Sequence, residues 1–314
     1  MLRRIAAAEI LSGVDPQELH SLADLVAPER LKHALQFFFD RNGGKQSVQA
    51  FEAALLCLGI ARHWARLPED QVGRIANWVK KLRRPNTGMT EKNRERLRQF
   101  TSRAVILRIL RLPDDLVAKA GKIPAGVSSA LMAQKAVAIA LLTTAPIRVG
   151  NLGKLDRQQH FRRAFSITDR RHHLVIPAAE VKNEVDLEFP VPKRVMTLID
   201  HYMRVYQPLI GNGRASSLLF PGRSSDRPKE LSGLRNSIPA VILKETGLHM
   251  NAHLFRHFAA YLYLKANPGQ YEVVRQLLGH RRIETTINFY ASFETDAAMQ
   301  QFNQVIEGYR EEAP

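Results

Sequence analysis

This sequence predicts a mainly helical protein with one small antiparallel β-sheet, an α+β chain in two domains. Three observations carry that expectation. Apolar residues recur at three- and four-residue spacings through most of the 314 residues, the period of an amphipathic helix. One stretch, between about residues 173 and 192, changes to the alternation and β-branched content of strands. A stretch holding prolines and glycines at 113–127 parts a basic helical region from a second region with its own apolar helix. At ~150 residues per domain, a chain of this length holds roughly two.

The elements follow in order. "PQELHSLADLVAPERLKHALQFFFD" and "SVQAFEAALLCLGIARHWARL" read as helices, and residues 1–112 as one helical domain. Asn42–Lys45 ("NGGK") and Arg83–Met89 ("RRPNTGM") are loop signals. Residues 113–127 are read as a linker. A long apolar helix follows from Ser128 to Thr144, with a serine cap and Pro146 as its stop. Arg148 comes directly after. "HLVIPA" (His173–Ala178) and "VDLEFPVP" (Val185–Pro192) read as paired strands, with Lys182 near the turn between them. Helices resume at "VMTLIDHYMRVY". Residues 211–231 form a Gly/Ser/Pro-rich loop, and helices are expected at 234–246, 252–266, 269–278, 284–292 and 295–310. The second domain is thus 128–314.

Charge points to a partner. Forty-six Lys and Arg face 30 Asp and Glu, a net charge of +16. Such a surface attracts polyanions through counterion release and steering. Nucleic acid is the expected partner, a merely soluble basic surface the plainer alternative. From Lys80 to Arg108 ten basic residues meet only Glu91 and Glu95. Within that run, Lys80, Lys81, Arg83, Arg84, Lys92, Arg94, Arg96 and Arg98 are candidate phosphate contacts; a solvated helix face is the alternative. Cys57 is the single cysteine, which excludes a disulfide framework and a cysteine-based zinc site. With no run of about 18 apolar residues, and with Glu9 inside the N-terminal apolar stretch, the expectation is a cytoplasmic protein with no membrane partner.

The C-terminal third concentrates chemistry. In "HLFRH", His253 and Arg256 stand at i and i+3 on one helix face, and His257 lies near that face. Asn251 is placed to cap this helix. An H-x-x-x-H zinc pair is a weak reading, because the Glu of H-E-x-x-H and a third ligand are missing. An anion site fits better: Arg offers a planar fork, and His donates beside a helix N-terminus. A half-buried structural histidine pair is the ordinary alternative. In "PGQYEVVRQLLGH", Gly279 sits where a C′ glycine ends a helix, so His280 rides on a fixed turn. Tyr290 follows ten residues later.

The segments "HLFRH", "LLGH" and "TTINFY", in this order and spacing, resemble the catalytic signature of the tyrosine recombinases, the phage integrase family. "TTAPIRVGNL" resembles the segment of the family's first catalytic arginine, here Arg148, and "EVKNE" that of its hairpin lysine, here Lys182. The resemblance spans about residues 125–305. Over 1–112 it rests on helical character, charge and the "W-x-x-K…G-M-T" look of a core-binding domain. It implies a helical DNA-binding domain followed by a catalytic domain. It also implies cleavage and rejoining of DNA through a covalent 3′-phosphotyrosine, with no metal or other cofactor. The implied catalytic set is Arg148, Lys182, His253, Arg256, His280 and Tyr290. Asn151 stands where many members carry Glu or Asp, and Pro146 where glycine is common.

These residue types suit that reaction. A phenolate at neutral pH costs roughly 4 kcal/mol from a pKa near 10, so a base such as His253 and a cationic field are needed. Arg148 and Arg256 would neutralise charge growing on the phosphorane. His280 would hydrogen-bond it, and Lys182 would protonate the leaving 5′ oxygen. Lys193 competes with Lys182 for that role, and Tyr261, Tyr271 and Tyr309 compete with Tyr290. Recombination exchanges four strands, so a homotetramer on two duplexes is expected. The tail residues Ala298, Phe302, Val305 and Ile306 form an apolar stripe, which the resemblance implies docks on a neighbouring protomer; folding back on its own domain is the alternative. Two other functions keep the same fold: a catalytically silent DNA-binding accessory protein and a type IB topoisomerase-like enzyme.

Overall fold

The structure, a computed structural model, describes residues 1–83, 88–163, 171–210, 216–222, 227–291 and 294–311. The chain divides into two compact units, Met1–Thr87 and Gly88–Pro314.

The first unit is helical: α1 (Leu2–Leu11), α2 (Leu22–Val26), α3 (Pro28–Arg41), α4 (Val48–His63) and α5 (Glu69–Leu82). Its helix starts follow capping chemistry. Ser21 and Asp24 form a reciprocal box on α2, Pro28 opens α3, and Ser47 Oγ accepts from the Ala50 N–H at 3.0 Å. Ile5, Leu31, Ala53, Cys57 and Ile75 meet in a shared core. Glu9 is buried with that core, and neither of its carboxyl oxygens has a hydrogen-bond partner. Burial pushes its pKa up to about 7 against the pull of Arg30.

The second unit begins with α6 (Glu91–Arg98), α7 (Arg103–Gly121) and α8 (Val127–Thr144). Here the structure departs from the expected linker. Residues 113–121 are the second half of α7, and only a short turn remains before α8. Pro113 inside a helix costs ~3 kcal/mol. Against that, Ile109, Leu112, Leu116 and Ala120 form a fully buried stripe along α8, and each such side chain of Leu or Ile size gains ~1.5–3 kcal/mol. Packing therefore overrides the breaker. The unit boundary falls at 87/88 rather than near 112, because Leu97 and Phe100 belong to the same core as α7 and α8. α8 has the length and hydropathy of a membrane span, yet it is the core helix, with Ala133, Ala136, Val137, Ile139 and Leu141 wholly buried.

After α9 (Val149–Gly153) and α10 (Arg157–His160), a three-stranded antiparallel sheet forms in the order β1 (Phe161–Arg163), β2 (His172–Ile176), β3 (Leu187–Val191). Leu174 pairs with Phe161 on one side and Phe189 on the other, all three buried. The alternation had signalled β2 and β3; three residues of β1 are too few to show a period. Helices then follow as α11 (Lys193–His201), α12 (Leu231–Thr246), α13 (Leu254–Ala266), α14 (Tyr271–Leu278), α15 (Ile283–Tyr290) and α16 (Thr295–Glu311). The last five agree with the expected ranges within three residues.

Two glycines are dictated by close approach. At Gly279, φ is +58°, and a Cβ would stand 2.5 Å from Leu187 Cδ2, so α14 must end on glycine to let β3 pack there. At Gly88, φ is +71°, and a Cβ would stand 2.0 Å from the carbonyl oxygen of Asn288 in α15.

Candidate active site

Arg148 is the N-cap residue of α9, just after the chain leaves α8. His253, Arg256 and His257 lie on the entrance and first turn of α13, whose start is capped by Asn251 Oδ1 accepting from the Leu254 N–H at 2.9 Å. His280 follows the Gly279 cap, and Tyr290 is the last residue of α15. These side chains line one cleft of about 350 Å³, together with Asn183, Arg281 and Phe289. Five of the six expected catalytic residues therefore meet. Lys182 is exposed on the β2–β3 connection and does not line the cleft, although its neighbour Asn183 does.

Arg256 is fixed most firmly. It is buried, and its two terminal nitrogens donate to the Pro146 carbonyl at 2.6 Å and to the Leu278 carbonyl. Burial, then the charge of Arg148, pushes its pKa down to about 10, still protonated at neutral pH. Arg148 is half-buried. One terminal nitrogen donates to Asn183 Oδ1 at 3.0 Å; the other, Nη1, is buried with no partner. Burial lowers its pKa as well. A buried guanidinium N–H without an acceptor is costly, and an anion in the cleft would satisfy it.

His280 Nδ1 is 3.0 Å from the buried Thr286 hydroxyl, which leaves Nε2 for a bound group. Burial, followed by Arg256 and Arg148, pushes its pKa down to about 4. His253 is exposed at the mouth; partial enclosure and the same two arginines lower its pKa. Tyr290 is 1% exposed, and burial raises its phenol pKa while Arg256 pulls it down. Among the described residues no group of three His, Cys, Asp or Glu is spaced to hold a metal ion.

Three features escaped the sequence. Asn151 does not hold the Arg148 guanidinium: its amide donates to the Glu180 carbonyl at 2.9 Å, and Asn183 takes the place beside the arginine. Asn183 also donates to the Gly279 carbonyl at 2.7 Å, and Glu184 pairs with Arg281. The hairpin turn beside Lys182 is thus tied to the loop that presents His280. His257, not His253, touches the nucleophile candidate: its Nδ1 lies 2.9 Å from Tyr290 Oη. Its place in "HLFRH" was the only hint.

The basic run divides between the units. Lys80, Lys81 and Arg83 are exposed at the end of the first. Lys92 and Arg98 are exposed on α6 of the second, where Arg94 and Arg96 are half-buried and Glu91 pairs with Arg94 and Arg98. Arg84 lies outside the described residues.

No curated protein matches the chain. Among solved structures, the Tn1549 transposon integrase in complex with circular intermediate DNA is 14% identical, with a TM-score of 0.49, over 96% of this chain and 98% of that one. The XerH site-specific recombinase in its post-cleavage complex is 13% identical, with a TM-score of 0.49, over 96% of this chain and 94% of that one. XerA recombinase is 13% identical, with a TM-score of 0.38, over 96% and 97%. The model of the phage integrase family matches residues 114–296, the span that holds every one of the cleft residues above. The chain belongs to the phage integrase family and is a tyrosine site-specific recombinase.

Proposed function

We propose that Tyr290 attacks a DNA phosphodiester held by Arg148 and Arg256, leaving a 3′-phosphotyrosine and a free 5′ hydroxyl. The observation that carries this is the pair of guanidinium groups in one cleft with a buried tyrosine. Arg256 is immobilised by two carbonyls, and Arg148 keeps one N–H without an acceptor. Two such cations offset charge that grows on the phosphorane, where preorganised donors act most strongly. His280, anchored on Thr286, donates to a non-bridging oxygen. His253, neutral at the mouth, accepts the phenolic proton. Lys182, free on its turn, reaches over to protonate the 5′ oxygen. The ester linkage is kept in the phosphotyrosine, so rejoining needs no nucleotide.

The exposed lysines and arginines of α5 and α6 contact the DNA backbone on this reading, as positioning rather than sequence readout. Four protomers meet on two duplexes. The tail supports that assembly: Phe302 and Val305 of α16 are each 56% exposed, an apolar face suited to a neighbouring protomer.

A nicked suicide substrate tests the chemistry. Wild type should form a covalent adduct on denaturing gels, and Tyr290→Phe none, with DNA binding nearly unchanged. An adduct that persists in the Phe variant removes Tyr290 from the role. Deleting residues 295–314 should abolish the four-protomer complex by light scattering while single-protomer binding survives.

A further inference from the structure

We infer that His257 is the positioning residue for the nucleophile: it holds the Tyr290 hydroxyl and so sets where Oη stands when a phosphate enters the cleft. The inference rests on Tyr290 as the nucleophile.

The contact is direct. His257 Nδ1 and Tyr290 Oη are 2.9 Å apart, and both residues are buried, at 4% and 1% exposure. Water therefore does not compete for the hydroxyl as it would on a surface. His257 also inherits a fixed backbone. It follows Arg256, whose guanidinium is tied to the Pro146 and Leu278 carbonyls. One helical turn thus carries a phosphate donor and, one residue on, the holder of the attacking group.

The ring has little room to turn. Phe289 stacks on it at 6.0 Å with planes 20° apart, and the His253 ring meets it edge-on at 4.8 Å. Tyr290, by contrast, ends a helix of eight residues, a length that is marginal without tertiary support. The position of Oη depends on what grips the end of α15, and the hydrogen bond to α13 does that. His257 is well suited to hold without disturbing the phosphate site. Burial and the nearby His253, Arg256 and His280 push its pKa down to about 3, so it is neutral at physiological pH. It neither repels the arginines nor competes with them for the anion.

The side-chain amide of Asn can occupy the place of a histidine Nδ1, whereas that of Gln reaches toward Nε2. This difference separates a hydrogen-bonding role from simple space filling. Incorporate 3-fluorotyrosine at position 290 in the full chain without DNA, and record its fluorine resonance in wild type, His257→Ala, His257→Asn and His257→Gln. In parallel, measure single-turnover adduct formation on the suicide substrate at saturating DNA.

The resonance should move in the Ala and Gln variants and return toward wild type in Asn. Adduct formation should fall by about 10²-fold in Ala, the scale of a 1 Å misplacement of a reacting group, and recover at least tenfold in Asn but not Gln. DNA affinity should stay within threefold throughout. An unmoved resonance in His257→Ala overturns the inference. So does adduct formation within threefold of wild type in that variant, or equal recovery by Asn and Gln. An adduct that survives Tyr290→Phe instead overturns the nucleophile assignment, and this inference with it.

Discussion

The two walls of the cleft are built differently. On the α13–α15 wall three side chains are gripped by protein, Arg256 by two carbonyls, His257 by Tyr290 and His280 by Thr286, while His253 stands exposed at the mouth. On the hairpin wall Arg148 has one partner, Asn183, and a spare buried N–H, while Lys182 stands in solvent on the same turn, outside the cleft lining. The contrast amounts to a division of labour. The wall that carries the nucleophile is preformed. On the proposed reading, the wall that serves the leaving oxygen is completed only when a phosphate supplies the missing acceptor and Lys182 moves in.

The largest test of this contrast sets Arg256→Ala beside Arg148→Ala. Both should slow adduct formation by ~10²-fold or more, since each removes a donor to the transition state. Their stabilities should part. Arg256→Ala strands two buried carbonyls, Pro146 and Leu278, at ~1–3 kcal/mol each. Arg148→Ala loses one hydrogen bond, ~0.5–1.5 kcal/mol, and removes an unsatisfied N–H. Thermal unfolding should therefore shift clearly for the first and hardly for the second. Equal shifts would mean the two walls are equally preformed.

A smaller effect should follow Asn183→Ala, which frees Arg148 and unties the turn from Gly279 while leaving both arginines in place. Cleavage should slow by about tenfold, less than the ~10² of a 1 Å misplacement. Single-turnover cleavage on the suicide substrate measures it, and an unchanged rate would show the turn is set by DNA alone.

Acid should expose the preformed wall more gently. The buried His280 and His257 have pKa values lowered to about 4 and about 3, from an ordinary 6.5. The unfolded chain binds their protons first, so stability of the second unit should fall as pH drops from about 6.5 through those values. Glu9 runs the other way. Its pKa is raised from 4.5 to about 7, so the first unit binds the extra proton when folded. That unit should lose stability as pH climbs from about 4.5 to about 7. Trp64 and Trp78, the two tryptophans of the chain, both lie in it. Tryptophan fluorescence in denaturant therefore reads the first unit alone, and Glu9→Gln should flatten its pH dependence. A fluorescence midpoint independent of pH would show that Glu9 finds a partner in solution.

The site was legible in the sequence where local rules fix a side chain. Gly279 marked the end of α14 and hence the place of His280, and Asn251 marked the start of the helix that carries Arg256. What stayed hidden depends on contacts distant in sequence. Nothing local distinguishes the Asn183 amide from any turn residue; its two partners lie 35 and 96 positions away. His257 was visible as one of a pair, but which histidine meets Tyr290 is decided by how α15 packs on α13. The expected linker at 113–127 is helical through Gly121 for a related reason. Pro113 breaks an isolated helix, and only the burial of Leu112 and Leu116 against α8 keeps α7 whole.

Gly88 gives the catalytic unit a mechanical entrance. With no side chain, it lets the incoming backbone press directly on the carbonyl of Asn288, two residues before Tyr290. A displacement at residue 88 is a load applied to the helix that ends in Tyr290. Gly88→Ala would drive a Cβ against that carbonyl and so act as a permanent wedge beside α15.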